Sequence, residues 1–196
     1  MDLFTSNMTD NQKLNDLKEK YKNLLEVEQN GKGKFNITKG SKQNYGNCVM
    51  IILPNVTDSG FMNADYETQT LMCILDEYEI VNYIICYAQP SKVHSASRKE
   101  VKKSRPLMYE LIDIVQPKFI VVCGEVSAEL FMTQKPNIIT SHGTLVCSYS
   151  NIPVVLTYNP DYYVTRTGYE DDTYKTSILT EDWTLISDTY KNLIKE

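Results

Sequence analysis

The chain has 196 residues, 42% of them hydrophobic, and a formal charge of −5 at pH 7. These values fit one globular domain with a substantial core; they exclude a disordered chain and a uniformly basic nucleic-acid coat, but not a local basic face. No apolar run reaches the roughly 20 residues of a membrane helix, and the polar N-terminus lacks an apolar signal segment, so no membrane role is expected.

Residues 1–10 carry no regular pattern. Asp10 is placed to cap a helix from about Asn11 to Glu28, with Leu14, Leu17, Tyr21, Leu24 and Leu25 on one stripe. Residues 29–46 are polar and read as a loop with room for a short irregular strand. Cys48 to Leu53 is an unbroken apolar run between Asn47 and Pro54, the pattern of a strand buried on both faces. After a loop over 54–63, a helix is predicted from about Asp65 to Tyr78, facing inward with Leu71, Ile74 and Leu75. Ile80 to Cys86 is a second buried strand. Ser97 and Glu100 form a capping box that opens a helix to about Val115; Pro106 should bend it or split it near Ser104. Phe119 to Cys123 is a third strand, followed at Gly124 by a short helix, Glu125 to Met132. Leu145 to Tyr149 and Val154 to Thr157 read as further strands, with Asn151 near the turn. Thr180 caps a last helix to about Ile194, with Trp183, Ile186, Tyr190 and Leu193 on one face.

Buried strands alternating with helices predict an α/β sandwich with a mostly parallel sheet. Ligands of such sheets bind at the carboxyl ends of the strands, so loops 54–63, 87–96, 124–126 and 158–176 are the ones expected to matter. Five cysteines, odd in number and mostly inside apolar segments, fit a reduced, cytoplasmic protein rather than a disulfide framework. The sequons at Asn7, Asn36 and Asn55 are then without consequence. No His, Cys or Asp spacing resembles a zinc site, so no metal is expected. Abundant Lys, Asn, Ile and Tyr fit an AT-rich genome.

Four segments, Val49–Ile52 with its loop, Ser104–Glu129, Ile139–Gly143 and Pro153–Pro160, stand in an order that resembles the uracil-DNA glycosylase superfamily, and within it the iron–sulfur branch often called family four. Val49-Met-Ile-Ile52 with its loop is similar to the family's first strand and catalytic loop. Ser104-Arg-Pro106, an apolar helix, and then Val115-Gln-Pro-Lys-Phe-Ile-Val-Val-Cys-Gly-Glu-Val-Ser-Ala-Glu129 resemble its middle. Ile139-Thr-Ser-His-Gly143 resembles a loop ending in Arg-Gly, and Pro153-Val-Val-Leu-Thr-Tyr-Asn-Pro160 a strand ending in Thr-x-His-Pro. Asp182-Trp183 fits its C-terminal helix. The resemblance covers about residues 47–196. It implies a three-layer α/β/α sandwich around a four-stranded, mostly parallel sheet, with residues 1–46 as a helix-and-loop extension.

The departures fall on the chemistry. Where the family has an acidic glycine-bearing loop, this chain has Leu53-Pro-Asn-Val-Thr57; Asp58 lies just beyond. Phe61 sits about two positions early to match the uracil-stacking Phe, the uracil-pairing Asn falls near Ile84, and the His of His-Pro is Asn159. Two cluster cysteines align with Ala88 and Ser104, and the N-terminal pair has no counterpart. A [4Fe–4S] cluster needs four thiolates, so no cofactor is expected. The base-pocket remnant is Pro54, Phe61, Asn159 and Pro160. Were catalysis retained, Asn55, Asp58, Asn159 or Asp161 would have to carry it, because uracil excision needs charge stabilisation as the glycosidic bond breaks.

Lys92, Arg98, Lys99, Lys102, Lys103 and Arg105 form the densest basic stretch, either a solvated helix face or a phosphate-binding one. His142 stands where the family has an Arg beside DNA phosphate; the alternative is an ordinary loop histidine. His94 has no motif around it. Tyr158, Tyr162, Tyr163, Tyr169 and Tyr174 crowd the loop after the last strand, where aromatics stack on bases or form a protein interface. The acidic run Glu170-Asp-Asp172 in that loop favours the protein interface for Tyr158, Tyr162, Tyr163 and Tyr169. The expectation is a non-catalytic glycosylase-like accessory of phage or viral DNA replication or repair that binds DNA, a DNA polymerase or another replication protein, and no small molecule. Its alternatives are a diverged glycosylase acting on uracil or a modified pyrimidine, and a protein-interaction module antagonising a host factor.

Overall fold

The structure, a computed structural model, describes residues 9–20, 45–55, 66–89, 98–163 and 172–194. In chain order the elements are α1 (Asp10–Lys20), β1 (Val49–Asn55), α2 (Tyr66–Glu77), β2 (Tyr83–Gln89), α3 (Arg98–Val115), β3 (Phe119–Cys123), α4 (Gly124–Ala128), α5 (Ile138–Ser141), β4 (Thr144–Tyr149), β5 (Ile152–Thr157), α6 (Pro160–Tyr163) and α7 (Asp172–Leu193).

The strands form one sheet in the order β2-β1-β3-β5-β4. Strands β2, β1, β3 and β5 are parallel; β4 runs antiparallel to β5. Side chains of β1 alternate between two cores, which is why its apolar run is unbroken. Met50 and Ile52 join Leu14 and Leu17 of α1 and Val101, Leu111 and Ile112 of α3. Val49, Ile51 and Leu53 join Leu71 and Leu75 of α2 and Trp183, Ile186 and Tyr190 of α7. Each such burial contributes roughly 1.5–3 kcal/mol, so helices cover both faces of the sheet.

The α/β class is as the patterning predicts; the sheet is mostly parallel but has five strands, not the four that the resemblance implies, and its edge strand β4 makes it mixed. The fifth strand arises from a hairpin. Ser150 and Asn151 both have positive φ (49° and 68°), as a two-residue turn of the type that matches strand twist requires. That turn folds β4 back along β5, with Tyr149 opposite Ile152.

Several boundaries also differ. Thr9, not Asp10, caps α1: Gln12 N–H donates to Thr9 Oγ1, and Thr9 N–H to Gln12 Oε1 at 2.8 Å. The predicted continuation of α1 beyond Lys20 lies outside the described residues. Ile80 lies just past α2, in the turn that closes it, where its N–H reaches the Leu75 carbonyl at 2.8 Å, so β2 starts later, at Tyr83. Pro54 lies inside β1, beyond the last pairing with β3 at Ile52, so its missing N–H costs that ladder nothing. Helix α3 is not split at Ser104: Pro106 is exposed, and the carbonyl it leaves without an N–H, that of Lys102, is on the watered side. Thr180 is no cap; α7 begins eight residues earlier, at Asp172, and the Thr180 hydroxyl donates to the Thr176 carbonyl at 2.8 Å. Leu193 is exposed, and Ile194 takes the buried place.

Candidate functional site

The carboxyl ends of the parallel strands bring together segments far apart in sequence. Gly124, just after β3, has φ +80°, a conformation that glycine adopts without strain. A Cβ there would lie 3.7 Å from Asn159 Cβ and 3.9 Å from Pro54 Cγ. Pro54, Gly124 and Asn159 therefore meet at one point, with buried Pro160 opening α6 beside it. Asn159 holds that turn through its carbonyl, which accepts the Tyr162 N–H at 2.9 Å. Asn55 closes β1 at the same edge. Asp58, Phe61, Lys92 and Tyr169 lie outside the described residues.

Beside this point is a buried polar network that the sequence reading missed. Asp182 of α7 is 1% exposed. Its Oδ1 lies 2.7 Å from His142 Nδ1, and its Oδ2 accepts the Thr157 hydroxyl at 2.7 Å. Tyr163 adds its hydroxyl, 3.0 Å from Thr157 Oγ1 and 3.4 Å from Asp182 Oδ2. A buried carboxylate is tolerable only with such partners. Burial above all, with the Asp182 charge adding to it against the Thr157 hydrogen bond, pushes the Tyr163 hydroxyl well above its ordinary range, so it stays a neutral donor.

Local backbone makes the network possible. Gly143 has φ +63°, and a Cβ on it would stand 2.6 Å from Asp182 Oδ1. Its N–H donates to the Leu156 carbonyl at 2.8 Å, pinning the His142 loop to the end of β5. With Nδ1 held against the Asp182 carboxyl, Nε2 is the ring nitrogen left for other chemistry. The imidazole also rests against Tyr158, ring centres 5.1 Å apart, and Tyr158 stacks on Tyr162 at 4.2 Å. Tyr163 meets Tyr162 edge-on at 5.7 Å. Of the tyrosines expected at an interface, Tyr158 is thus buried and Tyr163 is tied into the network, while Tyr162 is half-buried.

A signal for Asp182 was present in the sequence. It lies four residues after Ile178 and four before Ile186, so a carboxylate occupies the buried stripe of a helix, where an unpaired charge is not stable.

The basic residues divide. Lys99, Lys102 and Lys103 are exposed and, at spacings of three and four, share one face of α3. They sit in its first turns, and α3 runs from the carboxyl end of the sheet back to the start of β3, so they stand at the same end of the sheet as Asn159. Arg98 opens the helix. Arg105 turns inward: its guanidinium donates to the carbonyls of Glu129 (Nε at 3.2 Å) and Met132 (Nη2 at 2.8 Å), closing the turn after α4. The positions aligned with the cluster cysteines are adjacent: the Ser104 hydroxyl donates to the Ala88 carbonyl, and also to that of Val101 at 2.8 Å. Ser104 and Ala88 are both buried. An alanine methyl and a hydroxyl already spent on carbonyls do not suit an iron–sulfur cluster.

Among the described residues, no three His, Cys, Asp or Glu side chains converge as metal ligands do. No described helix is long and apolar enough to cross a membrane. In comparisons with known proteins, no protein family matches this chain. No curated protein matches it either.

Proposed function

We propose that this chain is a uracil-DNA-glycosylase-like protein that binds DNA, a DNA polymerase or another replication protein, and does not cleave glycosidic bonds. It would serve replication or repair in the cytoplasm, the host's if a phage encodes it. One observation carries the reading: Pro54 and Asn159, which the resemblance assigns to the base pocket, converge on Gly124 at the carboxyl edge of the sheet, with Asn159 in place of the family's histidine. The direct bond from Ser104 to Ala88 adds support, since those positions would hold cluster thiolates. The exposed lysines of α3 offer phosphate contacts at the same edge.

The test is to titrate labelled oligonucleotides, with and without uracil, against the protein and against the variant combining Lys99→Glu, Lys102→Glu and Lys103→Glu. Binding that weakens steeply with salt and is lost in the variant is expected, without abasic-site formation. Unchanged binding in the variant would remove the basic face from the account.

The second reading, a diverged glycosylase acting on uracil or a modified pyrimidine, is favoured by one feature. A buried carboxylate orients His142 as acid–base catalysts are oriented, leaving Nε2 available to handle a proton. Strand scission at abasic sites left in uracil or hydroxymethyluracil substrates, abolished by His142→Gln, would establish it.

A further inference from the structure

The amino edge of the sheet, opposite the candidate site, carries an open cleft of about 830 Å³ between α2, the start of β2 and the end of α7. Its floor is apolar: Met72, Ile80, Val81, Tyr83 and Tyr190. Met72 is 43% exposed and Val81 62%, large apolar side chains left in water next to each other's cleft. A second hollow of about 220 Å³ shares Glu79 and Lys191 with the first. Around the two stand Asp76, Glu77, Glu79 and Asp188, against Lys191, which pairs with Glu79 at 3.4 Å. Negative charge thus frames the apolar floor.

The local sequence works against its own helix here. Asp76 and Glu77 occupy the last turn of α2, which has no basic residue, so two carboxylates meet the negative end of the helix dipole. Glu79 then takes the left-handed position that ends the helix, φ 58°, where glycine is favoured. Choices that oppose local stability mark places shaped by something other than folding.

We infer that this cleft docks a basic amphipathic segment of a partner protein, its apolar side chains on Met72, Val81 and Tyr83 and its lysines or arginines over Asp76, Glu77 and Asp188. Charge complementarity selects this occupant. A second copy of the chain would set the same carboxylates against each other across a two-fold contact. Methionine on the floor suits a surface that adapts to a partner's side chains. The inference stands apart from the proposed function, which concerns the other end of the sheet.

Two helical peptides with one leucine stripe test it, one with lysine on the polar face and the other with glutamate. Amide shifts in the full chain are mapped by NMR, and alkylation of Cys73, exposed on the cleft wall, is timed. The leucine–lysine peptide should shift residues 72–83 and 188–191, slow Cys73 alkylation, and bind about tenfold or more tightly than its glutamate twin. Val81→Asp and Met72→Asp, both at exposed positions, should weaken it by about tenfold with DNA binding unchanged. Equal binding of the two peptides, shifts that map elsewhere, or no binding would overturn the inference. So would self-association abolished by Val81→Asp, which would make the occupant a second copy.

Discussion

The two ends of the sheet are built on opposite principles. At the carboxyl edge a buried carboxylate is fully engaged by His142, Thr157 and Tyr163, and two glycines with positive φ permit the close approaches. At the amino edge the charges are exposed, the one ion pair described there is between well-solvated groups, and the apolar floor is open. Helix α7 joins them: Asp182, at its middle, serves the carboxyl edge, and Tyr190, whose hydroxyl accepts the Asn82 N–H at 3.0 Å, serves the amino edge. The eight steps from one to the other span about 12 Å of helix. The contrast teaches that polar groups fix geometry in this molecule only where they are buried. Where they are solvated they leave a surface.

The sharpest way to break the comparison is Asp182→Ala. It removes the acceptor from His142, Thr157 and Tyr163 at once, and should cost about 3 kcal/mol, lowering the melting temperature by roughly 6–12 °C. Val81→Asp at the amino edge should change stability by no more than about 0.5 kcal/mol. Equal costs would mean the two ends are not built differently. Gly143→Ala comes next, at about 2 kcal/mol, because the new methyl meets both the φ of +63° and Asp182 Oδ1. Chemical denaturation would measure both.

The smallest effect is a pH dependence. Tyr163 ionises in the unfolded chain near the ordinary tyrosine value of 10, and above it in the folded chain. Its contribution is therefore present in full below pH 10 and is lost as pH rises above it, because the unfolded state then releases a proton that the folded state retains. Tyr163→Phe should flatten the loss of stability above pH 10; an unchanged slope would show that the hydroxyl is not shielded by the fold.

Much of the scaffold was legible in the sequence because two-sided burial leaves a plain mark. The runs at Cys48–Leu53 and Phe119–Cys123 could be little else than central strands, and the stripe of α3 follows helical period. The edges were less legible. Strand β4 was legible to within a residue, but its antiparallel direction depends on the backbone of Ser150 and Asn151. The shift of β2 from Ile80 to Tyr83 has the same origin, since Ile80 is buried as a helix-ending residue rather than as a strand one. In the candidate site, Asn159 and Pro160 were legible through resemblance; Asp182 left a mark as a carboxylate on a buried helix stripe, but its role was not legible, because its partners are 25 and 40 residues away. Arg105 shows the converse: a cation in a basic run, turned inward by carbonyls that only the fold brings near it.

The central claim is binding at the carboxyl edge without base excision. The most direct measurement titrates a uracil-containing oligonucleotide against the protein and scores abasic sites in the same samples. The account predicts salt-sensitive binding that the triple lysine-to-glutamate variant at 99, 102 and 103 loses, with no abasic sites. Abasic sites formed in proportion to bound protein, or binding that the variant retains in full, would contradict it.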